Sequence, residues 1–267
     1  MSRLFITTVF SCVFLMIAVG GCAFFKRPVL IGPNGKDVAK KVVLIPGQKA
    51  VVEKNKQVFY FDGKTQVQLT QTGSNHEPVL SPGGDRVLFT RKSSVEAMIP
   101  VEGDGFNDPE DAFSDQLWVM DIVSRKEKLL VNDLPWPQQR QEIETGRLLP
   151  WIGNAQFSAD GQKIYFTAPV WVTSSGLYVV PVDGGEAKFI TDTNYLKVID
   201  RGEYKGDLIL SQHRYFLYGG SYDWCYIFSP EGKEIAVLSE DPDGIDWERL
   251  YSEEVVDKDE NAGKGKH

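Results

Sequence analysis

The stretch Asn154-Ala-Gln-Phe-Ser-Ala-Asp-Gly-Gln-Lys-Ile-Tyr-Phe-Thr167 decides the fold. Asp160-Gly161 is a tight-turn pair, because glycine takes positive φ without a Cβ clash and an aspartate carboxylate can accept from its own backbone. Beyond the turn, Ile164 and Phe166 fall on one face of an extended chain and Tyr165 on the other. The pattern predicts a β-hairpin. A second copy runs from Glu77 to Thr90: Leu80 answers Phe157, Ser81 answers Ser158, and Val87-Leu88-Phe89-Thr90 answers Ile164-Tyr165-Phe166-Thr167. Two aligned copies define a repeat.

Working outward, strand-like segments succeed one another with little helical periodicity. Val42–Ile45, Lys49–Glu53, Gln57–Phe61 and Gln66–Thr70 form a first four-strand unit, turning at Asp62-Gly63. Val87–Arg91, Gln116–Ile122 and Glu127–Val131 continue the unit opened by the upstream hairpin. Ala155–Phe157, Lys163–Thr167, Gly176–Pro181 and Ala187–Thr191 make the third, and Asp207–Ser211, Tyr215–Gly219, Tyr222–Ser229 and Glu234–Leu238 a fourth. Repeating four-stranded units are the blades of a β-propeller, of which roughly 4 to 8 make a ring. Ser81 and Ser158 lie 77 residues apart, too far for one unit of about 40 to 45 residues. Two insertions account for the excess. Ser93–Asp115 is acidic, with Asp104, Asp108 and Asp111 among its carboxylates, and Asn132–Gly153 carries Trp136 and Trp151, each beside a proline.

The repeat resembles that of the TolB-like β-propeller family, whose blade carries a Pro-x-hydrophobic-Ser-Pro-Asp-Gly turn followed by a hydrophobic strand. Pro78-Val79-Leu80-Ser81-Pro82-Gly83-Gly84 fits except that Gly83 stands for Asp, and Phe157-Ser158-Ala159-Asp160-Gly161 fits except that Ala159 stands for Pro. Leu117-Trp118-Val119-Met120-Asp121 and Leu177-Tyr178-Val179-Val180-Pro181 are similar to the third strand of that repeat. The resemblance covers about half of the chain after Gly21. It implies an all-β propeller of four to five four-stranded blades, WD-type in layout, as a compact ring or an incomplete one. Function does not follow from it, since propellers host many unrelated activities.

The amino terminus sets an address. Met-Ser-Arg precedes the apolar run Leu4–Val19, then Gly20-Gly21-Cys22. One positive charge, a short apolar core and small residues before a cysteine read as a secretory signal rather than a membrane-spanning anchor. The ending resembles a bacterial lipobox. That resemblance implies cleavage before Cys22, diacylglycerol on its thiol and a further acyl chain, such as palmitate, on the new amino terminus. Each buried methylene contributes about 0.8 kcal/mol, so several chains hold a protein stably on a membrane. Ala23 after the cysteine, rather than Asp, resembles the pattern of outer-membrane retention. The expected organisation is a signal peptide over 1–21, a lipidated tether over 22–41, a propeller over 42–251 and a charged, disordered tail over 252–267.

With Cys12 in the signal and Cys22 acylated, Cys225 has no partner for an internal disulfide. Between Trp224 and Tyr226 it reads as a small buried hydrophobe. A formal charge of −8 argues against nucleic acid as a partner.

Catalytic signals are few. Serine-type hydrolysis needs a base near its nucleophile, and the folded part offers only His76 and His213, with no Gly-x-Ser-x-Gly elbow. His76 reads as a loop cap and His213 as a strand-end residue. The run Asp104-Gly105-Phe106-Asn107-Asp108-Pro109-Glu110-Asp111 lacks the ligand order of an EF-hand, so a solvated loop is favoured over a metal site. Trp136 and Trp151 either anchor a ligand or plug the rim against the propeller's own core, the usual fate of a loop tryptophan. Trp171, Tyr178, Tyr215, Tyr218, Tyr222 and Trp224 are expected to pack between blades. The reading is a lipid-anchored, non-catalytic propeller without cofactor, facing the periplasm. It is expected to bind an envelope protein through the face bearing both insertions, with Trp136, Trp151, Asp104, Asp108 and Asp111 as candidate contacts. The alternative is a carbohydrate-active or peptide-hydrolysing propeller with carboxylates in its central channel.

Overall fold

The computed structural model describes residues 44–96, 113–133, 151–169 and 175–252. Cys22, Asp104, Asp108, Asp111, Trp136 and Trp171 lie outside them, as do the signal, the tether and all but the first residue of the tail.

The serine turn recurs and organises the hairpins. At Ser158 the backbone N–H donates to Lys163 O at 2.8 Å, Gly161 N donates to Ser158 O at 2.9 Å, and the hydroxyl accepts from Lys163 N at 2.9 Å. Asp160 Oδ1 accepts from Ser158 Oγ and from Gln162 N. These two bonds, the hydroxyl's first, hold the Asp160 carboxyl below its ordinary titration range. Ser81 makes the same turn with Asp85, which accepts from the serine hydroxyl at 2.8 Å and so replaces the aspartate missing at Gly83. A third copy lies at Ser229, where Gly232 N donates to Ser229 O. Gly84, Gly161 and Gly232 all take left-handed φ, of 69°, 72° and 87°, the backbone that glycine adopts without strain.

Among the described residues, fifteen strands form four antiparallel meanders. The first blade orders β1 (Ala50–Lys54), β2 (Gln57–Phe61) and β3 (Gln66–Gln68). Its expected innermost strand at Val42–Ile45 is not formed in the described part, where Leu44 and Ile45 lie outside any strand and lead into a turn ending in a Gly47 N–Gly63 O bond. The second blade holds β4 (Asn75–Leu80), β5 (Arg86–Glu96), β6 (Phe113–Asp121) and β7 (Glu127–Val131). The third holds β8 (Gly153–Phe157), β9 (Lys163–Pro169), β10 (Ser175–Pro181) and β11 (Lys188–Thr193).

The fourth blade corrects the sequence reading. Its strands are β12 (Tyr195–Val198), β13 (Leu208–Tyr215), β14 (Ser221–Phe228) and β15 (Glu234–Ser239). Tyr215–Gly219, expected as a strand, is instead the end of β13 and the turn into β14. The missing first strand is supplied by Tyr195–Val198. Tyr215-Phe216-Leu217-Tyr218 is rich in strand-forming residues but does not alternate, and a Gly-Gly pair follows it.

Both faces of the second and third blades are apolar, and each is covered by a neighbour. Leu88, Leu117 and Val119 of the second blade pack with Phe157, Ile164 and Phe166 of the third. The opposite face of β9 sends Tyr165 against Leu196, Leu208 and Tyr226 of the fourth. Val58 and Leu69 meet Val87, Phe89 and Met120 between the first two blades. Cys225 is fully buried, as expected.

The first strands β4, β8 and β12 adjoin from blade to blade, while no comparable contact joins the fourth blade to the first among the described residues, so the ring is open. The end at the fourth blade is capped. The outer face of the fourth blade, with Ile199, Ile209 and Ile227, is covered by Ile245 and by Trp247, Leu250 and Tyr251 of the short helix α1 (Trp247–Tyr251). Asp246 caps α1 by accepting from Arg249 N at 3.0 Å, and Arg201 lies 4.4 Å over the Tyr251 ring. Gly202 makes the approach possible: a Cβ there would sit 2.8 Å from Leu250 O.

Loss of the Leu250 side chain should therefore uncover the last blade. Leu250→Ala is expected to lower unfolding free energy by about 2–5 kcal/mol, whereas Val123→Ala, at a turn residue 90% exposed, changes it by less than about 0.5 kcal/mol. Urea unfolding of the two variants checks this.

Candidate functional site

A four-stranded meander puts its first-to-second and third-to-fourth turns at one end and its second-to-third turns and blade-to-blade connections at the other. Both insertions belong to the second kind: the strands take in the ends of the first, leaving 97–112 to link β5 to β6, and of the second 132–152 links β7 to β8. Their flanks confirm the shared end, because Asp115 Oδ2 accepts from Ile152 N at 3.1 Å. The other oxygen of Asp115 lies 3.1 Å from Lys92 Nζ. Burial pushes the Asp115 carboxyl upward and outweighs the opposing pull of Lys92 and of the Ile152 N–H. Its protonation therefore favours the folded state, the reverse of Asp160.

The root of this end is cross-linked. Gln116 Nε2 donates to Asn132 Oδ1 at 2.9 Å and to Asp133 Oδ1 at 2.8 Å, and its Oε1 accepts from Trp118 Nε1. Asn75, fully buried at the start of β4, donates to Thr72 O and Lys56 O and accepts from Arg91 Nε at 2.7 Å. Arg91 forks onto both oxygens of Glu127 and stacks on Trp118. Trp151, the candidate contact within the described residues, is half-buried immediately before Ile152. It stands beside the joined flanks.

His76 has more company than its sequence neighbours suggest. Its Nε2 lies 3.0 Å from Ser74 Oγ and its Nδ1 lies 3.4 Å from Glu53 Oε1, so the ring sits between a hydroxyl and a carboxylate of the preceding blade. It is a strand residue of β4 rather than a loop cap. Glu77, next along, takes φ +50° in a bulge between His76 and Val79, and its N–H donates to Glu53 Oε2. Asn154 takes φ +52° at the matching bulge of β8. There Asn154 and Gln156 both donate to Leu196 O, while Gln156 accepts from Val198 N. Left-handed backbone at a non-glycine residue costs on the order of 1–3 kcal/mol. In β8 the bulge accompanies side chains that tie one first strand to the next.

A second feature occupies the same end. The β13–β14 hairpin continues past its neighbours: β12 reaches only Ser211, and β15 only Cys225. Four further pairs, Gln212–Trp224 to Tyr215–Ser221, form a two-stranded ribbon. The tip closes with Phe216 N donating to Gly220 O at 3.0 Å. Leu217 and Tyr218 are 89% and 96% exposed, with Tyr215 and Phe216 also open to solvent. Tyr215 and Tyr218 therefore do not pack between blades as expected. Tyr178 does, buried in the core between the second and third blades, where it also stacks 5.6 Å from Phe166 of its own sheet. His213 pairs with Asp223 at 2.9 Å near the end of β13, matching its reading as a strand-end residue.

Among the described residues no group of three His, Cys, Asp or Glu side chains is placed to hold a metal ion, and no helix is long and apolar enough to cross a membrane.

No family model matches the chain, and no curated protein matches it. Solved structures similar to it include the tricorn protease, at 12% identity and a TM-score of 0.48, covering 74% of this chain and 16% of that one. TolB from Acinetobacter baumannii is similar at 18% identity and a TM-score of 0.39, covering 69% of this chain and 41% of that one. The β-propeller domain of the Trilobed protease from Pyrococcus furiosus, described as having an open velcro topology, is similar at 11% identity and a TM-score of 0.43, covering 72% and 53%. The chain thus spans well under two thirds of these structures. The likenesses are distant and lend no activity to this chain.

Proposed function

We propose that the protein is a lipid-anchored β-propeller of the bacterial envelope, held on the outer membrane through Cys22 and facing the periplasm, that binds an envelope protein without catalysing a reaction on it. The observation that carries the binding face is the junction of Lys92, Asp115 and Ile152. It roots two long insertions on one rigid base, and functional loops are characteristically displayed on such scaffolds. The anchor rests on the apolar run Leu4–Val19 and the Gly20-Gly21-Cys22 ending.

Removing residues 97–112 and 134–150 together is expected to abolish capture of the envelope partner in a pull-down while the β circular-dichroism signal persists. Undiminished capture contradicts the assignment of this face. In cells fed a palmitate analogue, the wild type should take up label and Cys22→Ser should not.

The contact of Ser74, His76 and Glu53 favours one second reading, a serine hydrolase, because it has the order of hydroxyl, imidazole and carboxylate that activates a nucleophile. The binding reading predicts no labelling of Ser74 by a fluorophosphonate. Labelling that disappears in both Ser74→Ala and His76→Ala replaces it with the catalytic one.

A further inference from the structure

We propose that the β13–β14 ribbon is a bilayer-interface anchor: its tip, Tyr215-Phe216-Leu217-Tyr218, seats in the headgroup boundary of a phospholipid membrane. The proposal builds on the envelope address above and adds a second, non-covalent point of contact.

Geometry comes first. Four residue pairs beyond the last third-strand partner, at about 3.3 Å per residue, make a two-stranded ribbon roughly 13 Å along its strands. Two-stranded ribbons are marginal alone, and this one is braced. Gln212 Nε2 donates to Thr191 Oγ1 and Asp192 O of the third blade. His213 pairs with Asp223, and Arg214 bonds Glu234 at 2.6 Å while lying 3.8 Å over the Tyr226 ring. Phe216 packs 4.7 Å from Tyr222. The shaft is thus built from paired charges and stacked rings, and the apolar side chains left over gather at its end.

Chemistry then selects the occupant. In a chain of net charge −8, the run Tyr215–Tyr222 contains no carboxylate. Its side chains are two aromatic phenols, a phenylalanine and a leucine at the tip, then Gly-Gly-Ser-Tyr. Tyrosine is suited to a boundary where its ring is dry and its hydroxyl wet. The basic side chains below the tip, His213 and Arg214, already face Asp223 and Glu234, so the contact draws on apolar burial rather than on attraction to anionic lipid and should resist added salt. The expected acyl chains at Cys22 place a bilayer within the same compartment.

The test uses the full chain in vesicles of phosphatidylethanolamine and phosphatidylglycerol, with an environment-sensitive fluorescent amino acid at position 217 and, as control, at position 123. Both sites are about 90% exposed, and Val123 lies in the β6–β7 turn at the opposite end of the blades, so neither label disturbs the core. Flotation reports attachment of the chain, and the probe reports the tip. The proposal predicts a blue shift at 217 and loss of most of its emission to a lipid-borne quencher, at low and high salt alike, with neither change at 123. Chains that float while the 217 probe stays water-exposed overturn the ribbon proposal and leave the anchor standing. Chains that fail to float overturn both. A probe at 217 that is shielded only after solubilised envelope proteins are added, and not by vesicles, identifies a protein site instead and also overturns the proposal.

Discussion

The second, third and fourth sheets are apolar on both faces, and that single constraint shapes the rest. Ile164 and Phe166 of β9 look one way and Tyr165 the other, all three almost fully buried. A sheet of this kind has no face to give to water, so it is stable only between two neighbours. Stacking satisfies the inner blades. The last blade has no further neighbour among the described residues, and a short helix with Trp247, Leu250 and Tyr251 takes the place of one. An open array ended by a cap obeys the same rule that a closed ring obeys by joining its ends.

Stacking apolar faces fixes which blades touch but does little to fix their rotation about the common axis. Polar bonds between first strands supply that restraint. Gln156 accepts from Val198 N and donates to Leu196 O, and Glu53 accepts from Glu77 N across the first junction. Two left-handed non-glycine residues, Glu77 and Asn154, sit in matching bulges at these junctions. Because those bonds run along the first strands, the insertion-bearing end is held as one surface. Asp115, Asn75 and Arg91 extend the same network into the bases of the loops.

Much of the fold was legible because the repeat encodes its own turns. Asp160-Gly161 gives a turn from chemistry alone, and the Ser81 copy survives the loss of its aspartate because Asp85 supplies the acceptor from the other side of the glycine. Strand β12 was not legible, being four residues with a lysine between Leu196 and Val198. The aromatic run at Tyr215–Tyr218 was misread because strand propensity describes side chains that fit a half-buried surface, and it does not say whether such a surface is present. The site was less legible still. Asp115 and Ile152 are 37 residues apart, and Glu53 and His76 sit on different blades, so no spacing rule joins them. Of the candidate contacts named from sequence, Trp151 alone falls within the described residues, and it stands beside the junction that the coordinates reveal.

Amide hydrogen exchange resolved by mass spectrometry addresses the central claim most directly, since it reports which strands are buried on both faces. Amides around Ile164–Phe166 and Ile209–Leu210 should exchange only through global unfolding, while those of Leu217 and Tyr218, beyond the last third-strand partner, exchange freely. Rapid exchange throughout β9 and β13, at rates matching the ribbon tip, would contradict the stacked-blade architecture on which the binding face and the ribbon both depend.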